Sequence, residues 1–147
     1  MKKVYFLLIN LFVLSFLQGC GYEPVYSSKN FLFKVEKINY ENNRINNQIA
    51  RSLKSISNEN AQNNLNLNLS SKKQKKVISK NKSGDPVIFE LAILITIKIE
   101  GEEMIFVSKQ SYNNNENKFE LNEYENEIEE QLVNEIVDDI LIFLAKY

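Results

Sequence analysis

Lys72-Lys73-Gln74-Lys75-Lys76, with Lys80 and Lys82 close behind, concentrates ammonium groups in one short stretch. Each is a compact point charge able to meet a phosphate or carboxylate. The blander reading is a solvated hairpin whose charges discourage edge pairing. The single cysteine, Cys20, cannot close an intramolecular disulfide. Histidine is absent, which removes the usual base near neutral pH, the commonest metal ligand and every His-containing triad. No carboxylate pair sits in an apolar run, and the glycines at 19, 21, 84 and 101 are too scattered for a phosphate loop. The expectation is therefore a non-enzyme with no catalytic residue, no metal site and no bound cofactor. Tyr22, Tyr26, Tyr112 and Tyr124 combine an apolar ring with a polar tip, suiting either a partner interface or a half-buried core position.

Cys20 gains meaning from what precedes it. Lys2-Lys3 leads an apolar run from Val4 to Leu17, and Leu17-Gln18-Gly19 then abuts the cysteine. The run is too short to span a bilayer and has the charged start and small closing residue of an export signal. It resembles a bacterial lipoprotein signal peptide, which implies a signal over residues 1–19 and a mature domain over 20–147. In such proteins the cysteine carries a diacylglyceryl thioether and an N-acyl chain. A single acyl chain anchors only marginally, and each buried methylene adds roughly 0.8 kcal/mol, so two or three chains would hold the protein on a membrane. Gly21, in place of an aspartate after the cysteine, resembles the enterobacterial sorting signal for the outer membrane. The expected location is the periplasm-facing side of that membrane.

Charge is near balance, Lys and Arg totalling 18 against 19 Asp and Glu, but it is unevenly spread. The charged residues over 29–82 are mostly basic, whereas from Glu120 onward the acidic residues face only Lys146. Asn, Lys, Ile and Glu dominate, the bias of an AT-rich genome.

Hydrophobic periodicity supplies the elements that must position these residues. Phe31, Phe33 and Val35, then Ile38 and Tyr40 after a phase change, predict a strand with a bulge near Glu36-Lys37. Ile45, Ile49, Leu53 and Ile56 mark one face of a helix over about 43–57. Leu65, Leu67 and Leu69 alternate as a half-buried strand whose pattern fades through Ser71–Lys76 and resumes at Val77. The 81–86 segment reads as a turn, placing the lysine cluster at a hairpin tip. Val87, Phe89, Leu91, Ile93, Ile95, Ile97 and Ile99 share one face of the clearest strand, and Glu100-Gly101-Glu102 turns it into a returning strand over 104–112. After a polar loop, Leu121, Tyr124, Ile128, Leu132, Ile136, Ile140 and Leu144 stripe a final helix, too interrupted by charge to be transmembrane. The order is β-α-β-β-β-α. Burying both helical stripes at once predicts an α+β two-layer sandwich, with two helices on one face of a four-stranded mixed sheet.

Three stretches carry a family resemblance: Cys20-Gly21-Tyr22-Glu23-Pro24-Val25-Tyr26, the strand–turn–strand from Phe89 to Val107, and Ser111-Tyr112-Asn113 with Phe119 and the closing helix. With the element order, they are similar to the LptE family of lipopolysaccharide-assembly lipoproteins, in its alphaproteobacterial form. The final helix departs from the family's Ala- and Arg-rich habit, being rich in Glu, Asn and Ile. The resemblance implies a plug in the lumen of an LptD-like outer-membrane β-barrel. It further implies help with barrel assembly and with delivery of lipopolysaccharide to the cell surface. Lys72, Lys73, Lys75, Lys76, Lys80 and Lys82 would then meet lipopolysaccharide, and Tyr22, Tyr26 and Tyr112 the barrel. Nucleic acid is not an expected partner, since no aromatic stacking platform accompanies the lysines. The alternatives are an auxiliary lipoprotein of an ABC-type lipid transporter and a lipid-anchored envelope hydrolase. The missing His and the absent Gly-rich nucleophile elbow count against the hydrolase.

Overall fold

A computed structural model describes residues 32–146. Cys20, Tyr22 and Tyr26, and with them the signal-peptide boundary, lie outside the described residues. In chain order the elements are β1 (Phe33–Tyr40), α1 (Arg44–Ile56), β2 (Asn63–Lys80), β3 (Pro86–Ile99), β4 (Glu102–Asn113) and α2 (Lys118–Leu144). They form the predicted α+β sandwich, a four-stranded sheet in the order β1-β2-β3-β4. β1 pairs parallel to β2 and the other neighbours are antiparallel. The parallel pair exists because α1 carries the chain back along the sheet, whereas the later strands need only short turns.

Local chemistry explains each boundary. The register of β1 slips between Val35 and Lys37, leaving Glu36 as the extra residue. That bulge keeps both Val35 and Ile38 toward the helices, as the phase change in the sequence required. Asn43 caps α1 by accepting the Asn46 amide at 2.8 Å, and Asn117 caps α2 by accepting the amides of Phe119 and Glu120 at 3.1 and 3.4 Å. The Asn81 side chain closes the β2–β3 loop, accepting the amides of Ser83 and Asp85 at 2.9 and 2.8 Å. Glu100 and Gly101, at φ 51° and 92°, form the two-residue turn between β3 and β4. Positive φ at both positions matches the twist of the flanking strands.

The core lies between the helices and one face of the sheet. Leu91, Ile93, Ile95, Ile97 and Ile99 are essentially sealed, as are Leu67, Phe33, Ile49 and Leu53. From α2, Ile128, Leu132, Val133, Ile136 and Ile140 close over them. β-branched isoleucine fits this pleated, covered surface, and each sealed side chain contributes roughly 1.5–3 kcal/mol. Among the described residues no helix is long and apolar enough to cross a membrane. The opposite face of the sheet carries no helix among the described residues. It is polar along β1 and β2, with Asn39 donating to Asn68 across the parallel pair at 3.1 Å, and more apolar along β3 and β4.

The structure departs from the sequence expectation at β2. The strand does not fade at Ser71; it runs unbroken to Lys80, paired with β3 as far as Lys80↔Pro86. Lys72–Lys76 are therefore strand residues opposite Leu94–Glu90, some distance from the 81–85 loop, and only Lys80 and Lys82 stand at the tip.

Candidate functional site

Because strand side chains alternate, the lysine run is split between the two faces of the sheet. Lys73 and Lys75 share the face of Leu67 and Leu69 and point toward α2. Lys72 and Lys76 share the face of Asn66 and Asn68 and point away from the helices. One basic stretch thus becomes two sets of charges with different work.

The inward set is neutralised within the chain. α2 presents Glu125 and Glu129, one turn apart, where its apolar stripe is interrupted. Glu129 is only 5% exposed. Its Oε2 pairs with the Lys73 ammonium, and its Oε1 accepts from Arg44, whose Nε lies 2.9 Å away. Arg44 opens α1, so this carboxylate ties both helices to β2. Burial is the largest influence on Glu129 and pushes its carboxyl up. The hydrogen bonds and charges of Lys73 and Arg44 together outweigh it and hold the group below its ordinary value. Lys75 pairs with Glu125, which also accepts the Tyr112 hydroxyl at 2.7 Å. At Glu125, burial again pushes up and is outweighed, here by Lys75 and Tyr112 with the Lys73 charge adding to them. The Lys75 ammonium also sits 4.2 Å from the centre of the Phe89 ring, a cation–π contact.

Tyr112 is 4% exposed, its ring packed at 5.7 Å from Phe89 and 6.2 Å from Tyr124. Burial, reinforced by the Glu125 carboxylate that accepts its hydrogen bond, pushes the phenol far above its ordinary value. The structure thus gives Tyr112 a place in the core network. Tyr124, 45% exposed, is the tyrosine of this pair that meets solvent. It lines an open cleft of about 920 Å³ between the end of β4 and the start of α2, together with Asn113, Asn115 and Glu120.

The outward set is Lys72, Lys76, Lys80 and Lys82. All four are exposed, and among the described residues none forms an ion pair, although Lys76 stands opposite Glu90 across the β2–β3 pair. They form a free cationic margin along the uncovered side and tip of the β2–β3 hairpin. Such an arrangement can attract phosphate or carboxylate groups and, having no hydrogen-bonded frame, would hold them by charge more than by shape. Among the described residues no cluster of three or more Asp, Glu, Cys or His is placed to hold a metal ion.

Sequence reasoning missed Arg44, Glu125 and Glu129. A signal for them existed: 125 and 129 fall where the stripe from Leu121 to Leu132 lacks an apolar residue, and the lysines at 73 and 75 have the strand parity to meet them.

No protein-family model and no curated protein matches the chain. Solved structures do share its fold. Rare lipoprotein B from Shewanella oneidensis superposes with a TM-score of 0.57 at 14% identity, over 76% of this chain and 95% of that one. A minor lipoprotein from Acinetobacter baumannii gives 0.53 at 13%, over 76% and 93%. Lipoprotein B from Nitrosomonas europaea gives 0.52 at 12%, over 84% and 88%. The sandwich described here is therefore a fold used by lipoproteins of Gram-negative bacteria.

Proposed function

We propose that this chain is a lipid-anchored accessory protein of the outer membrane, facing the periplasm. It occupies an LptD-like β-barrel, assists that barrel's assembly and helps deliver lipopolysaccharide to the cell surface. The observation that carries this reading is the whole-domain likeness to Gram-negative lipoproteins, in a chain whose residues 2–20 read as a lipoprotein signal. The resemblance of its motifs to the LptE family supplies the finer part. In this reading the protein works by shape and charge and has no turnover chemistry.

The test is to purify the C-terminally tagged full chain from solubilised native membranes and identify what stays bound. An LptD-like barrel in about equal amount supports the proposal. An inner-membrane ABC transporter in its place would replace the proposal with the auxiliary-lipoprotein reading.

The split of the lysines refines the search for a lipopolysaccharide contact. Replacing Lys73 and Lys75 would disturb the ion pairs under α2, so only the outward set gives a clean answer. A lysine near an anionic lipid surface contributes about 1 kcal/mol. Changing Lys72, Lys76, Lys80 and Lys82 together to serine is expected to weaken lipopolysaccharide binding by at least about tenfold, with thermal stability nearly unchanged. Undiminished binding by a folded variant would remove these lysines from the site.

A further inference from the structure

β4 is the last strand of the sheet, and among the described residues nothing pairs with its outer edge. The two-residue turn defines which backbone groups are left over. Ile99 and Glu102 close that turn and exchange both hydrogen bonds, and the pattern then alternates along the hairpin. Glu102, Met104, Phe106, Ser108 and Gln110 thus bond inward to β3. Glu103, Ile105, Val107, Lys109 and Ser111 turn their N–H and C=O groups to this outer edge, with side chains on the face that carries no helix among the described residues.

A long unpaired edge normally carries a central charge, a proline or a bulge that repels other strands. Here the centre is Ile105-Phe106-Val107, with Ile105 58% and Val107 54% exposed. The charges stand to either side and have opposite signs. Glu103 and Lys109 lie equally far from Phe106, on the same face.

We propose that β4 pairs antiparallel with β4 of a second copy of this chain, about a two-fold axis at Phe106. Around that axis Glu103 falls opposite Lys109 of the second copy, and Lys109 opposite its Glu103. Ile105 falls opposite Val107 in the same reciprocal way. These are the residues whose backbone groups are free, so the register that matches charge is also the one that makes hydrogen bonds. Two further matches strengthen it. Within one chain Glu103 already pairs with Lys98 at 2.6 Å and Lys109 approaches Glu90 at 3.6 Å. Across the axis these extend into a row of alternating sign, Lys98–Glu103 followed by Lys109–Glu90 of the second copy. Leu94 lies opposite Val107 and Thr96 opposite Ile105, so the apolar patch also runs unbroken from one sheet to the other. A two-fold interface requires a self-complementary surface, and β4 presents one.

The contact is a single strand pair, smaller than the roughly 800 Å² per partner of a standard interface, so a weak dimer of the chain outside the proposed barrel is expected. Sedimentation equilibrium of the full chain, in non-ionic detergent at matched density, measures its mass at concentrations up to ~100 μM. A concentration-dependent dimer is the expected result. Glu103→Lys alone, or Lys109→Glu alone, sets like charges opposite each other twice per dimer and should weaken it about tenfold. The double variant Glu103→Lys/Lys109→Glu restores opposite pairs across the axis and should recover association in part, the in-chain pairs with Lys98 and Glu90 being lost. Both positions are on the surface, and circular dichroism confirms that each variant is folded. A chain that stays monomeric throughout overturns the proposal and leaves the edge for a strand of another protein. Association that ignores both single changes, as mixing of lipid anchors within one micelle would, overturns it equally, as does a double variant that fails to recover.

Discussion

Replacing Arg44 and Lys73 together by alanine is expected to lower the unfolding free energy by about 2–4 kcal/mol at neutral pH, below the loss from a fully enclosed pair because water reaches the Arg44 side. The change leaves the Glu129 carboxylate almost wholly buried between α2 and β2 with no cation beside it. The loss comes mainly from that stranded charge. Glu129→Gln, which removes the charge and leaves two half-exposed cations that water can solvate, should therefore cost less, about 1 kcal/mol. Adding Glu129→Leu to the double variant should recover most of the loss. The dependence on pH separates this account from simple loss of packing. In the wild type the folded-state value of Glu129 lies below its ordinary 4.5. Its contribution is thus present above pH 4.5 and fades as pH falls through the lower folded value. In the double variant burial acts unopposed and raises the folded value above the unfolded one. The group then destabilises at neutral pH, and acid relieves it. Urea denaturation at a series of pH values should show the gap between wild type and variant closing on acidification. A gap that stays constant from about pH 7 to about pH 4 would attribute the loss to packing.

That network also marks where the sequence could and could not be read. Wherever a strand or helix buries one side against apolar neighbours, its period is written in the residue types. Leu65, Leu67 and Leu69, Ile93, Ile95, Ile97 and Ile99 of β3, and most of the stripes of α1 and α2 ended in the core, Ile56 packing at its margin and Tyr124 meeting solvent. Even the bulge at Glu36 was legible, because a phase change in β1 had to be absorbed somewhere. β2 beyond Ser71 was not legible for a corresponding reason. There its inward side meets Glu125 and Glu129, so lysine occupies both faces and the alternation vanishes although the strand continues. Recognising it requires knowing what stands across the layer, which is tertiary information. The same gap concealed the candidate site. A run that reads as one basic patch is two sets, one committed to folding and one free. Tyr112 shows a related case: its polar tip suited either an interface or a half-buried core position, and the structure gives the hydroxyl an internal acceptor in Glu125.

Among the described residues no helix is long and apolar enough to cross a bilayer, and the proposed membrane anchor is Cys20. The purified lipidated protein is expected to float with protein-free vesicles of neutral lipid. A form with Cys20→Ala, exported by an ordinary cleavable signal in place of residues 1–19, is expected to stay in the aqueous fraction. One acyl chain gives only marginal, reversible binding, but each further buried methylene adds roughly 0.8 kcal/mol. The loss of partitioning should therefore exceed about a thousandfold. Pure vesicles matter, because a barrel that binds the folded domain could retain the variant on native membranes and hide the change. The fold should survive, since the core of the described residues runs from Phe33 to Leu144. Thermal denaturation of the two forms should accordingly coincide. If the variant still floats, the attraction belongs to the protein surface, and adding salt identifies its source. The outward lysines would release the vesicles as their charge is screened, whereas the apolar strip of Leu94, Ile105 and Val107 would not. Either result would refute Cys20 as the anchor and return the uncovered sheet face to consideration as the membrane-contacting surface.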